Sequence, residues 1–278
     1  MANPKTSDGV SLTGFTERDH AQQLNTYIRA LEAFDATAGI QELKALSRER
    51  TGIGPGRRVL DVGCGFGLET LRAAERVAPS GTVAGLDLSR DFIVEAQRRA
   101  DAAGLKIDLR VGSAEALPFA DAAFDIVRAE RLLIYLHQWQ TALAEIRRTV
   151  RPGGRIALIE PDISTTTVNI PDRALLRRIM AHEADMNVVN AWLPGPLSAA
   201  LRSLSFVDVA LATRVVVFPA ELGRVYFGEC GRSACEAGVI GADELVHWQV
   251  GLDALHASGQ LFGTVSYFLF NATRPAEN

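Results

Sequence analysis

The run from Val59 to Gly67, VLDVGCGFG, joins an apolar stretch, an acid at Asp61 and glycines at 63, 65 and 67. Glycines spaced in this way at a strand-to-helix turn let the backbone approach a ligand closely, because no Cβ stands between them. Asp87 lies 20 residues beyond Gly67, at the end of the next apolar stretch. A carboxylate there can accept hydrogen bonds from both hydroxyls of a ribose. The rival meaning of these residues is a dinucleotide fingerprint, whose third small residue would fall at position 68, where the chain has Leu68. That mismatch, with an acid inside the strand end, favours a nucleoside ligand that has no pyrophosphate; Asp87 alone fits either ligand.

The elements that must carry these residues follow from the apolar pattern. Segments rich in Val, Ile and Leu alternate with longer segments of helical period, which predicts a parallel sheet with helices on both faces. Strands are expected at Arg57 to Val62, Thr82 to Leu86, Ile107 to Val111, Phe124 to Ala129, Arg155 to Glu160, Val207 to Phe218 and Phe262 to Thr273. Helices are expected at Leu68 to Val77, after a Ser89 cap, and at His137 to Val150. Residues 17–50 read as one or two helices, and a Thr-rich loop at Thr165, Thr166 and Thr167 precedes a helix from Ala174 to Val189.

Composition narrows the function classes. A net charge of -4 offers no long-range attraction for a phosphate backbone, so nucleic acid is not an expected partner. Cys64, Cys230 and Cys235 form no CxxC pair and no Cys/His cluster, so neither a metal site nor a disulfide framework is expected. No apolar run nears the roughly 20 residues that cross a bilayer, and the first twenty residues lack a signal-like stretch. A cytoplasmic monomer or homodimer without a membrane partner is the expectation.

Five more segments join VLDVGCGFG in one order across residues 59–156: GLDLS (Gly85 to Ser89), GSAEALPF (Gly112 to Phe119), FDIV (Phe124 to Val127), ERLL (Glu130 to Leu133) and RPGGRI (Arg151 to Ile156). On these motifs the chain resembles the class I S-adenosylmethionine-dependent methyltransferases, in the group similar to ubiquinone and menaquinone C-methyltransferases. The resemblance implies an α/β, Rossmann-like doubly wound seven-stranded sheet with its last strand antiparallel, and S-adenosylmethionine over the carboxyl ends of the strands. It implies that the turn through Gly63, Cys64 and Gly65 faces the methionine and ribose, and that Asp87, with Leu88 beside it, holds the ribose. Asp61 would shape the turn or reach the amino group, and Glu130 would lie at the methionine end. Relatives usually place an acid after the glycine of GSAEALPF to bind the adenine amine. Here Ser113 stands in its place, with the Ala114 backbone and Glu115 as the other adenine contacts.

On the acceptor side, relatives often follow ERLL with a Gln-His pair, whereas this chain has Ile134 and Tyr135. Tyr135 is therefore the candidate to orient an acceptor, with packing under a cap as its other role. His137 and Glu160 complete the candidate catalytic set; Glu160 and Asp162 flank Pro161 at the site's mouth, and a solvated position is the alternative for each. Tyr27, which shares a helical face with Leu24 and Leu31, and His182 are the candidate acceptor contacts, against structural roles for both. Methyl transfer is an in-line displacement that depends mainly on positioning, and a base is needed only if the acceptor must lose a proton early. Without the usual imidazole, C-methylation of a small, largely apolar acceptor, in natural-product biosynthesis, is the favoured reaction. The parts expected are an N-terminal helical lid (1–53), a cofactor core (54–160), an inserted cap (161–195) and a segment completing the sheet (196–278). A relative that binds the cofactor without transferring methyl, in regulation or to assist a cyclisation, is the other reading.

Overall fold

A computed structural model describes residues 21–276; residues 17–20 of the expected N-terminal helical stretch lie outside the described residues. The strands are β1 (Arg58–Val62), β2 (Thr82–Asp87), β3 (Asp108–Val111), β4 (Phe124–Glu130), β5 (Val150–Val168), β6 (Val207–Val217) and β7 (Gly263–Thr273). They form one sheet in the order β3-β2-β1-β4-β5-β7-β6. The first five run parallel, and β7 lies antiparallel between β5 and β6. The strand order reverses at β1 and β4, and the crevice outside the carboxyl ends of such a pair is where open α/β sheets take ligands.

The helices are α1 (Ala21–Asp35), α2 (Ala38–Thr51), α3 (Leu68–Val77), α4 (Arg90–Ala102), α5 (Trp139–Thr149), α6 (Arg173–His182), α7 (Pro194–Ser203), α8 (Ala220–Glu236) and α9 (Ala242–Ala257). They cover both faces of the sheet, so the central strands β1 and β4 are buried on both faces rather than at alternate residues. Successive residues of one strand feed opposite cores. In β5, Ile156 and Leu158 join Leu60, Leu143 and Phe270 on one face, while Ala157 and Ile159 join Ile40, Leu43, Phe227 and Leu269 on the other. Burying a side chain of this size is worth roughly 1.5–3 kcal/mol. The α2 helix packs on the sheet through Ile40 and Leu43, and Gly39 lets it approach Val215 and Val216 of β6.

Two expectations give way here. The threonines at 165–167 do not form a loop: β5 runs on past them, with Thr167 and Val168 paired to Thr264 and Gly263 of β7 after a register irregularity. A β-branched run opposite an available strand is better satisfied by the ladder than by solvent. The helix expected from Ala174 to Val189 stops at His182 and continues as a single π-turn, Glu183–Asn187. There the buried Glu183 carboxylate accepts hydrogen bonds from Tyr226 Oη at 3.1 Å and Asn187 Nδ2 at 2.7 Å. Widened turns of this kind recur where side chains intrude on a helix.

Candidate active site

The turn between β1 and α3 is left-handed at Gly63 (φ 70°), Gly65 (φ 54°) and Gly67 (φ 87°), a region that side chains disfavour. Gly63 N–H and Cys64 N–H both donate to Leu86 O, at 2.7 and 3.0 Å, which ties the turn to the end of β2. A Cβ on Gly63 would come within 2.9 Å of the Leu132 side chain, whereas one on Gly65 would meet no atom within 4 Å. Gly65 thus borders open space in front of the strand ends, and its amide is turned to Asp87.

Asp87 closes this space. Its Oδ2 accepts from Gly65 N–H at 2.8 Å and its Oδ1 from Ser89 N–H at 2.9 Å. Burial raises its pKa above the usual carboxylate value, and the backbone hydrogen bonds oppose that rise. Each oxygen keeps a lone pair for a ligand hydroxyl. Beside it Leu88 is 68% exposed, a large apolar side chain turned to solvent at the edge of the space. Gly112 N–H donates to Asp87 O at 2.9 Å, which brings the next motif against the same strand end. Within it Ala114 is buried, and the Ser113 hydroxyl accepts from Glu115 N–H at 3.1 Å, leaving its own proton to donate. These residues fit a nucleoside: an acid for the ribose, an apolar edge and small residues for the base.

Asp61 and Glu130 are both held by ion pairs. Asp61 accepts from Thr70 Oγ1 at 2.6 Å and pairs with Arg128 at 2.7 Å; it is buried and makes no cap to its own turn. Arg128 also pairs with Glu130 at 2.9 Å, and Glu130 pairs with Lys44 at 3.0 Å, so Glu130 is no solvated acid at a strand end. Lys44 joins Asp35 as well, and Glu69 binds Arg48 at 2.8 Å and Arg72 at 2.6 Å. Four acids and four cations balance in this network beneath the turn, which fastens α1 and α2 to β1 and β4. Burial raises the Glu69 pKa, but Arg128 and Lys44, with the other cations, outweigh it and bring it down to about 2.

Glu160 is likewise not at the mouth of the site. It is 0% exposed, and its Oε1 accepts from Leu132 N–H at 3.1 Å and Leu133 N–H at 2.9 Å. It therefore holds the short helical turn Leu133–Tyr135 that follows β4. Its Oε2 has no hydrogen-bond partner, and burial pushes its pKa up to about 7. Asp162 is occupied by the amide and hydroxyl of Ser164, so the two acids do not act as a pair.

Beyond the end of β4, on the β5 and β7 side, lies a cavity lined by Phe34, Arg131, Tyr135, Pro161, Ile163, Thr166, Phe218, Tyr226, Val265 and Tyr267. Of the acceptor-side candidates Tyr135 lies on this wall. Tyr27 stacks on Phe92 at 6.1 Å in a cluster with the glycine turn's Phe66 and does not line the cavity; burial and Asp87 push its pKa up to about 12 against Arg131. His182 is buried with Nε2 3.0 Å from Ser233 Oγ of α8 and lines no part of the cavity; it braces two helices. His137 is exposed ahead of α5 and also stands off the cavity, because the turn held by Glu160 points Tyr135 inward instead. Cys64 is a buried thiol whose pKa burial raises well above the ordinary value, so its contribution to the turn is its backbone. Among the described residues no three His, Cys, Asp or Glu side chains group as metal ligands, and no helix is long and apolar enough to cross a membrane.

Of the ten lining residues only Tyr135 was a candidate from the sequence; the polar and aromatic ones it missed include Arg131, Phe218, Tyr226 and Tyr267. Arg131 carried a signal, as the second residue of ERLL. The others carried none beyond being aromatic residues in segments of unassigned role.

Residues 59–154 match a family model described as a methyltransferase domain. The chain is 32% identical over 187 residues to an uncharacterised 37.1 kDa protein of a Streptomyces fradiae transposon, covering 67% of this chain and 52% of that protein. It is 40% identical over 108 residues to a demethylmenaquinone methyltransferase of Symbiobacterium thermophilum, covering 38% of this chain and 43% of that enzyme. The chain thus spans about half the length of these curated relatives. Among solved structures it is similar in fold to the cyclase SpnF, with a TM-score of 0.54 and 22% identity over 86% of this chain and 82% of that one. Glycine turn, strand-end acid, sheet order and family match together establish that the chain carries a class I S-adenosylmethionine-dependent methyltransferase domain.

Proposed function

We propose that this protein transfers the methyl group of S-adenosylmethionine to a small, largely apolar acceptor held in the cavity beyond β4. The observation that carries the reading is a juxtaposition. The open space at Gly65 and Asp87, suited to a nucleoside, and the aromatic cavity both adjoin strand ends at the middle of the sheet, and Tyr27 feels the charges of Asp87 from the one and Arg131 from the other. Bound S-adenosylmethionine supplies an electrophilic sulfonium methyl. The chain's own part is positional. Asp87 takes the ribose hydroxyls, the Gly63 to Gly67 backbone faces the methionine, and Leu88, Ser113 and Ala114 flank the adenine.

The cavity walls exclude water from the reacting atoms, and holding the acceptor in line with the methyl can supply on the order of 7–11 kcal/mol in favourable cases. Among the described residues no histidine or carboxylate lines the cavity. Burial raises the Tyr135 phenol pKa above its ordinary value, so the group stays protonated at neutral pH and donates a hydrogen bond rather than taking a proton. A wall of donors without a base suits a nucleophile that needs none, which supports methylation at carbon. Phe34 of α1, Ile163 and Thr166 of the 161–195 segment would form the lid over this acceptor, in a cytoplasmic enzyme of small-molecule biosynthesis.

The test is a panel of candidate acceptors offered with methyl-labelled S-adenosylmethionine. Labelled product and equimolar S-adenosylhomocysteine are expected. Tight cofactor binding with no label transferred to any acceptor would count against methyl transfer.

A further inference from the structure

We infer that the acceptor binds as an oxyanion and that Arg131 is the group that receives it; this rests on the cavity being the acceptor site. Arg131 is the first residue past β4 and has φ 49°, a left-handed conformation that an arginine keeps only where its surroundings impose it. Its N–H donates to Ile159 O at 2.9 Å, and Glu160 holds the two amides that follow. The fixed turn sets the guanidinium over the Phe34 ring, 5.8 Å from its centroid, on the cavity wall.

There the described residues set no acid in contact with the guanidinium, and Glu130 of the network acts on it only from farther off. Among the described residues no carboxylate lies within 4.0 Å of it, and its buried Nε has no hydrogen-bond partner. Every cation of the neighbouring network, Lys44, Arg48, Arg72 and Arg128, has an acid within that distance. A half-buried cation whose Nε is unpartnered, and which has no acid in contact among the described residues, favours an anion in this cavity. A second buried polar atom on the same wall, Thr166 Oγ1, also lacks a partner. The remaining wall is aromatic and aliphatic, and its Tyr226 hydroxyl is already committed to Glu183. One planar fork of donors, one spare hydroxyl and flat apolar walls suit a conjugated acceptor carrying a single carboxylate or phenolate. An amine would set a second cation against the guanidinium.

The experiment uses the whole chain saturated with S-adenosylhomocysteine and compares two matched probe pairs by ligand-observed NMR titration. The pairs are 1-naphthoate with 1-naphthamide, and 2,4-dinitrophenolate with 2,4-dinitroanisole. In at least one pair the anion should bind about tenfold or more tightly than its neutral partner, the scale of a charge-assisted hydrogen bond. The pair that shows it identifies the oxyanion. Arg131→Met should erase the preference and leave S-adenosylhomocysteine affinity within about twofold, and Arg131→Lys should restore part of it. Equal binding of anion and neutral probe in both wild-type pairs overturns the inference, with no variant needed. So does an Arg131→Met protein that loses cofactor affinity and keeps the probe preference, since Arg131 would then serve the cofactor's carboxylate. Failure of the wild type to take up S-adenosylhomocysteine is a separate result and counts against the methyltransferase reading itself.

Discussion

Replacing Gly65 by alanine separates the ligand's needs from those of the fold. The backbone there is held at φ 54°, yet a new methyl group meets no protein atom within 4 Å. Gly104, just past the end of α4, is a matched control at φ 65° with equally open surroundings. Forcing an L-residue into the left-handed region costs roughly 1–2 kcal/mol. In a chain of this size each kcal/mol lowers Tm by about 2–4 °C, so both variants should melt about 2–8 °C below wild type. Their ligand affinities should diverge. In Gly65→Ala the methyl enters the space in front of Asp87 and pushes a ligand there out of hydrogen-bonding reach of that carboxylate. Losing one such bond and its packing is worth at least about 1.4 kcal/mol, hence about tenfold in affinity for S-adenosylhomocysteine. Scanning calorimetry gives the melting temperatures and titration calorimetry the affinities. Wild-type affinity in Gly65→Ala, or an equal loss in Gly104→Ala, would refute the assignment of that space to the cofactor.

Lys44→Met leaves Asp35 and Glu130 facing each other without their shared cation. Breaking a buried network in this way should cost roughly 3–5 kcal/mol in denaturant unfolding, and a loss below about 1 kcal/mol would show the network to be idle. Glu160 titrates near 7 in the folded protein against an ordinary value of 4.5. The folded state therefore holds a proton that the unfolded chain has released, and stability from this group is full below about 4.5 and falls as pH rises to about 7, by up to about 1.4 kcal/mol per unit. Glu160→Gln removes that dependence, so its stability relative to wild type should improve from pH 5 to pH 7; a constant difference would mean that Glu160 titrates normally. Methyl transfer should persist in excess EDTA, because no metal-ligand grouping occurs among the described residues. Loss with EDTA and recovery with magnesium would reveal an unrecognised site.

The glycine turn and the strand-end acid proposed to hold the cofactor were legible because their geometry is local. Gly63, Gly65 and Asp87 owe their placement to backbone conformation and strand ends, and such demands mark the sequence within a few residues of where they operate. The sheet was legible for the same reason, each buried strand being a short apolar run between turns. Burial was not legible, and it changed the meaning of the acids. Asp61, Glu130 and Glu160 look alike as strand-end carboxylates, but two are ion-paired inside the protein and the third holds a backbone turn. The cavity proposed for the acceptor was least legible, since α1, the turn after β4, the extension of β5, the end of β6, α8 and β7 each contribute one to three residues to it. No local pattern announces Phe34, Arg131, Tyr226 and Tyr267 as neighbours. The threonines at 165–167 were misread for a related reason: their strand exists only because β7, about a hundred residues later in the chain, lies alongside.

The most direct measurement of the central claim is a calorimetric titration of the purified chain with S-adenosylhomocysteine, repeated on Asp87→Ala. Saturable binding at one site is predicted for the wild type. The variant should remain folded and bind about ten- to a hundredfold more weakly, through loss of charge-assisted hydrogen bonding worth roughly 1.5–3 kcal/mol. A wild type that takes up no S-adenosylhomocysteine, or a folded Asp87→Ala with unchanged affinity, would contradict the account.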